Sequence, residues 1–244
     1  MPMRKRARLL KPLSQKIARK LRQDGLCGLF RQGLNEAGIW FRGRGRILPQ
    51  DSFDNEYGTD TGGVIPLWKL QIDSPHSNEG VRYQTLEAGL LRELIGSLPI
   101  RHEDFVYVDL GSGKGRSLLI ASEYPFRKVI GVEFSQELDV IANRNILRYR
   151  PPNRRCGNVS SICVDAADFR FPPDRLVVFL YNPFGTGVLS RVLENLERTL
   201  HEHRREVWIL YSNPVHADLL DGAGFLDREN LALPDNAAVY KTGN

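Results

Sequence analysis

Apolar and polar positions change period repeatedly along the 244-residue chain. From residue 105 onward, short runs rich in Val, Ile and Leu alternate with stretches of helical spacing. The apolar runs predict strands at 105–109, 128–133, 159–164, 176–181 and 206–211, and helical patterns fall at 115–123, 136–148, 187–203 and 215–223. Near-continuous apolar strands separated by helices predict a parallel sheet covered on both faces. The tail "FLDRENLALPDNAAVYKT" predicts two more short strands around a turn at Pro234-Asp235-Asn236. Ahead of the first strand, "TLEAGLLRELIGSL" places Leu86, Leu90, Leu91 and Leu94 on one face of a leading helix.

The first part of the chain follows other rules. Leu13, Ile17 and Leu21 recur at helical spacing among Lys11, Lys16, Arg19, Lys20 and Arg22, which predicts a basic amphipathic helix ending near Gly25. Residues 1–46 form a basic arm with 13 Lys/Arg against Asp24 and Glu36, whereas the rest of the chain is mildly acidic. An arm of this kind either docks its apolar stripe on the main domain or contacts a polyanion, a membrane surface or nucleic acid. Residues 47–80, with "GRILPQDSFDNEYGTDTGG" overlapping their start and "DSPHSNEG" near their end, read as a long connector and a candidate lid. Residues 81–244 then form the main domain.

Composition narrows the class. The chain is 41% hydrophobic, enough for one sizeable core, and contains no run near the ~20 apolar residues of a membrane span. Cys27, Cys156 and Cys163 are odd in number and lack metal-ligand spacing, so a reducing, cytoplasmic setting without a zinc site is expected. Of the five histidines only His216 falls near the predicted crevice, and none sits in a metal-ligand pattern.

The chemistry concentrates in "FVYVDLGSGKGRSLL", where Asp109 ends a strand and Gly111, Gly113 and Gly115 follow at every second position around Ser112. A dinucleotide fingerprint needs a third glycine five positions after the first, where this chain has Arg116. A phosphate-cradling P-loop fails as well, because Lys114 is followed by Gly115. What remains is an acid beside glycines whose missing side chains let a ligand lie against backbone. An anion there repels phosphate and suits an ammonium or sulfonium group.

This stretch resembles the opening motif of the class I S-adenosylmethionine-dependent methyltransferases. The resemblance implies an α/β, Rossmann-like, mostly parallel seven-stranded sheet with helices on both faces, here with a basic N-terminal helical appendage. It implies S-adenosylmethionine as cofactor, held by Asp109, Gly111, Ser112, Gly113 and Gly115. Glu133, closing "KVIGVEFS", would accept from the ribose diol, while Asp165 and the backbone of Ala166 in "SICVDAADF" would meet adenine. Asp165 could equally be a helix cap.

"VVFLYNPFG" places Asn182, Pro183 and Phe184 where that superfamily carries its acceptor-side motif, a shortened relative of Asn-Pro-Pro-aromatic. Asn182 would hold an amino group and border the cofactor, Pro183 would stiffen the loop, and Phe184 or Tyr181 would stack on the substrate. Asn213 in "YSNP" either lines the same crevice or caps the next helix, the cap being favoured. "RYQT" is similar to the Tyr-x-Pro-Thr segment of some protein-lysine methyltransferases, with Tyr83 and Thr85 matching and the proline absent. The whole chain is similar to uncharacterised bacterial methyltransferases with a "YGTDTGG"-like segment, and distantly to lysine methyltransferases without a SET domain. The reaction expected is methyl transfer to an amine nitrogen of a protein side chain or small molecule. The alternatives are a nucleic-acid N-methyltransferase gripping phosphates with the arm, or a non-catalytic binding protein on the same scaffold.

Overall fold

The computed structural model describes residues 52–70, 72–232 and 236–243. The predicted N-terminal helix and the arm lie outside the described residues, as do Cys27, Pro234 and Asp235.

Seven strands form one sheet: β3 (Phe105–Leu110), β4 (Lys128–Glu133), β5 (Val159–Cys163), β6 (Arg175–Tyr181), β7 (Val207–Ser212), β8 (Leu226–Glu229) and β9 (Ala237–Thr242), in spatial order β5-β4-β3-β6-β7-β9-β8. The first five in that order run parallel. β9 pairs antiparallel with both β7 and β8, so the tail closes the sheet as a hairpin. The Rossmann-like α/β architecture implied by the motif resemblance is therefore present. The order reverses on either side of β3, and ligands in such sheets bind beyond the carboxyl ends of strands flanking that point.

Every residue of β3 is buried, yet its two faces serve different layers, because side chains alternate along a strand. Val106, Val108 and Leu110 pack with Val178, Leu180 and Ile209 against α5 (Thr186–Glu202), whose Val188, Leu189, Val192 and Leu196 form the inward stripe. Phe105 and Tyr107 face the other way, with Val177, Phe179 and Leu210, under α2 (Ala88–Gly96) and α3 (Arg116–Ala121). The next helix, α4 (Gln136–Arg148), begins directly after β4 with Ser135 as N-cap.

Two helices differ from their sequence reading in instructive ways. α2 starts only at Ala88, because the Glu87 carboxylate accepts from Gly89 N at 2.9 Å and Leu90 N at 2.7 Å and fixes the start there. Its buried face is Leu91, Leu94 and Ile95, leaving Leu86 outside the helix. The last helix, α6 (Ala217–Asp221), is shorter than the predicted 215–223.

The connector also carries structure. It contains α1 (Ser52–Tyr57) and a 3₁₀ turn at Leu67–Lys69, and β1 (Val64–Ile65) pairs antiparallel with β2 (Tyr83–Gln84). Among the described residues, no helix is long and apolar enough to cross a membrane.

Candidate functional site

A cavity of about 270 Å³ opens beyond the carboxyl ends of β3, β4 and β6. The sequence-predicted residues that line it are Asp109, Gly111, Ser112, Gly113, Glu133, Tyr83, Asn182 and Pro183. A smaller space of about 30 Å³ adjoins it, lined by Asp165, Ala166 and Phe184 and sharing Gly111 and Pro183. Gly115 borders neither space. It is the N-cap of α3 with φ +86°, and a Cβ there would come within 3.1 Å of the Ala142 methyl, so it serves helix packing.

The glycine loop is held from below by an acid. Glu133 Oε2 accepts from Gly113 N at 2.8 Å and Oε1 accepts from Ser135 N at 2.8 Å, which ties the loop and the start of α4 to the end of β4. Gly111 N and Ser112 N both donate to Val132 O, at 2.8 and 3.1 Å. Gly111 and Gly113 have φ of +83° and +55°, in the left-handed region. Glycine is needed at both positions for a reason within the chain itself. A Cβ on Gly111 would overlap the Pro183 ring and one on Gly113 would overlap the Tyr83 ring, so both glycines make room for walls of the site itself.

Asp109 and Glu133 are both almost wholly buried. Burial pushes each carboxyl up to about 7; the Ser117 hydroxyl, donating to Asp109, opposes this, and the charge of Glu133 adds to it. For Glu133 the Ser135 and Gly113 amides pull the other way without cancelling the loss of water. Two buried acids near the ends of neighbouring strands thus face one cavity.

Across the cavity, Asn182 follows the last residue of β6 with φ +43°, a conformation asparagine tolerates better than most residues. Its Oδ1 is buried and accepts no hydrogen bond. Ser112 Oγ is buried and unpartnered too. Tyr181 lines the same cavity, whereas Phe184 is buried in the core under α5 and reaches only the smaller space. Asn213 also lines the large cavity and has φ +51°. It does not cap α6, contrary to expectation: its Oδ1 accepts from Asn236 Nδ2 at 3.1 Å, because the β9 hairpin returns beside it.

Two stretches of the connector frame the site, and sequence reasoning gave them no residue-level roles. In the segment 53–63, Asp54 accepts from Thr61 N at 2.9 Å, Gly62 N at 2.6 Å and the hydroxyls of Thr59 and Thr61, both at 2.7 Å. Burial alone would raise the Asp54 carboxyl, but these bonds outweigh it and hold the group below the usual range. The folded segment is fastened to the glycine loop, with Lys114 Nζ 2.6 Å from Asp60 and Arg116 Nε donating to Thr61 Oγ1 at 2.7 Å. Asn145 of α4 closes the circuit, bonding Asp60 N at 3.0 Å, Asp60 O at 2.8 Å and Lys114 O at 2.9 Å. Tyr83 OH donates to Thr61 O, which fixes its ring over Gly113.

The second stretch, 72–81, straps across the strand ends. Bridges link Ile72 to Ser135 and Gly80 to Phe184, Val81 N donates to Pro183 O at 3.0 Å, and Glu79 accepts from Val188 N at 2.9 Å at the start of α5. Ser74 donates to Asp165, whose Oδ2 also lies 3.0 Å from His76 Nδ1 and whose Oδ1 accepts from Ala167 N at 2.9 Å. Asp165 is the N-cap of the turn that follows, and His76 lines the smaller space beside it. Nothing in the sequence spacing pointed to His76, because its partner lies 89 positions away.

No family model matches the chain, and no curated protein matches it. Solved structures with similar folds include the YcgJ protein of Bacillus subtilis (20% identity over 55% of this chain and 56% of that one, TM-score 0.41). Another is an RNA methyltransferase from Salinibacter ruber in complex with S-adenosylhomocysteine (17% identity, 66% of this chain and 92% of that one, TM-score 0.41). A third is TrmN from Thermus thermophilus (17% identity, 65% and 49%, TM-score 0.47). The chain spans about half the length of the first and third. These likenesses concern fold alone.

Proposed function

We propose that the protein is an S-adenosylmethionine-dependent methyltransferase acting on an amine nitrogen. One observation carries the reading: Asp109 and Glu133, buried and raised to about 7, share a cavity with the unpartnered Asn182 Oδ1. Such a cavity calls for a ligand with cationic character and for a hydrogen-bond donor. A pyrophosphate placed against the glycine loop would add negative charge beside two acids, which counts against a dinucleotide at that end of the cavity.

The residues present suit the cofactor. Asp109 would hold the methionyl ammonium, and Glu133 would accept from the ribose diol. Adenine takes the smaller space between Phe134, Val164 and Ala166. His76 and Gly80 of the strap border that space as well. When bound, the cofactor supplies a methyl carbon already activated by a sulfonium.

What the chain adds is alignment. Asn182 Oδ1 accepts an N–H of the acceptor amine and turns the nitrogen lone pair towards the methyl group. Its left-handed backbone, followed by the fixed φ of Pro183, keeps that oxygen in place. With the cofactor bound, transfer of its methyl group to that nitrogen would leave the sulfur as a neutral thioether, and the amine proton would pass to solvent. Tyr83 is a wall of this chamber: its hydroxyl proton is kept on by burial, far from use as a base.

Incubation with methyl-labelled cofactor and a panel of small amines, peptides and nucleic acids tests the reading. Label in an amine, lost in Asn182→Gly, supports it; label only in nucleic acid would move the acceptor to the alternative class.

A further inference from the structure

The cavity has a cationic corner that the alignment of the methyl group does not use. Arg82, one residue before β2, lines the cavity. Its Nε is buried and donates to nothing. Its Nη2 donates to Gln84 Oε1 at 3.0 Å, and Gln84 Nε2 donates in turn to Tyr181 OH at 2.5 Å. Among the described residues, no carboxylate forms an ion pair with Arg82, whereas Lys114 of the glycine loop and Arg116 of α3 each have one. The relay through Gln84 and Tyr181 fixes the guanidinium plane while leaving Nε buried and without an acceptor.

Resting on the methyltransferase reading, we propose that Arg82 is a carboxylate anchor within the cleft. The open edge of a guanidinium presents Nε–H beside an Nη–H at a spacing that matches the two oxygens of a carboxylate. A buried donor without an acceptor is costly to keep, and an anionic ligand would satisfy it while balancing the charge of the fork. Gln84 then acts as a positioning residue, since it shares Nη2 without neutralising it. Two sources can provide the anion: the methionyl carboxylate of the cofactor, or a carboxylate carried by the acceptor amine. The second source would make the acceptor an amino acid or a related zwitterion rather than a polycationic peptide or a nucleobase.

Calorimetric titration of the full chain separates the sources. The ligands are S-adenosylhomocysteine, which has the methionyl-derived tail, and 5′-methylthioadenosine, which lacks its carboxylate and ammonium. If the cofactor tail is the source, Arg82→Gln weakens the first about ten- to a hundredfold and leaves the second unchanged. Arg82→Lys, which keeps the charge but loses the fork, falls between. If the acceptor is the source, both titrations stay as in wild type. Glycine and β-alanine then raise the unfolding temperature of the wild-type S-adenosylhomocysteine complex but not that of the Arg82→Gln complex. Wild-type binding together with no difference in either arm, in variants with an unchanged unfolding midpoint, overturns the carboxylate anchor and leaves the methyltransferase reading standing. Failure of the wild-type protein to bind either adenosine compound overturns the methyltransferase reading first, and the anchor with it.

Discussion

Gly113→Ala tests the architecture of the site through a contact whose cost can be worked out. The substitution places a methyl group where φ is +55°, which costs an L-residue about 1–2 kcal/mol. The same methyl overlaps the ring of Tyr83, which cannot swing aside because its hydroxyl is bonded to Thr61 O and Thr61 is itself held by Asp54 and Arg116. Overpacking of this kind costs about 1–3 kcal/mol. Stiffening of the unfolded chain returns about 0.4–1 kcal/mol, so the net loss is about 1–4.6 kcal/mol out of a total stability of about 5–15 kcal/mol. In a Tyr83→Ala background the overlap is gone and only the backbone cost remains, about 0–1.5 kcal/mol. Urea unfolding of the four proteins in this cycle therefore gives a coupling of about 1–3 kcal/mol between positions 83 and 113. An equal cost of Gly113→Ala in both backgrounds would refute the claim that Tyr83 is pinned against the loop.

Four further outcomes follow from the same geometry. Asp109 and Glu133 have folded values near 7, above those of the unfolded chain, so the ligand-free protein binds more protons than the unfolded state between the two values; its stability falls as pH rises towards 7. A cationic ligand favours the ionised acids, so calorimetric affinity for S-adenosylmethionine rises across that pH, and Glu133→Gln flattens the rise. Asn182→Gly keeps the left-handed backbone but removes Oδ1, so single-turnover methyl transfer drops about 10²-fold while cofactor affinity stays at the wild-type value. Asp54→Ala strands the amides of Thr61 and Gly62 and lowers the denaturant midpoint by the equivalent of about 1–3 kcal/mol.

The sheet was legible because its signal is local. Strands such as "FVYVDL" and "KVIGVE" are apolar apart from Lys128 and an acid at or next to their last residue, so their bounds can be read to within a residue. The glycine loop, Glu133 and Asn182 were legible for the same reason, each standing at a strand end in a parallel sheet. The connector was not. Asp54, Thr61 and Asp60 gain their meaning from Arg116, Lys114 and Asn145, which lie 54 to 85 positions away, and no periodicity encodes such pairings. His76 and Arg82 were missed likewise, since a polar residue in an irregular segment looks the same whether it faces water or a cleft. Asn213 shows the converse error: its position before Pro214 and a helix fits a cap, but the β9 hairpin supplies Asn236 as a better partner.

The central claim is that the glycine loop, Glu133 and their cavity bind S-adenosylmethionine. Calorimetric titration of the wild-type chain with S-adenosylmethionine, S-adenosylhomocysteine and NAD tests it most directly. The account predicts saturable one-to-one binding of the first two, weakened about tenfold or more by Glu133→Gln through loss of charge-assisted bonds to the ribose, and no binding of NAD. Binding of NAD, or affinity for S-adenosylmethionine indifferent to position 133, would contradict it.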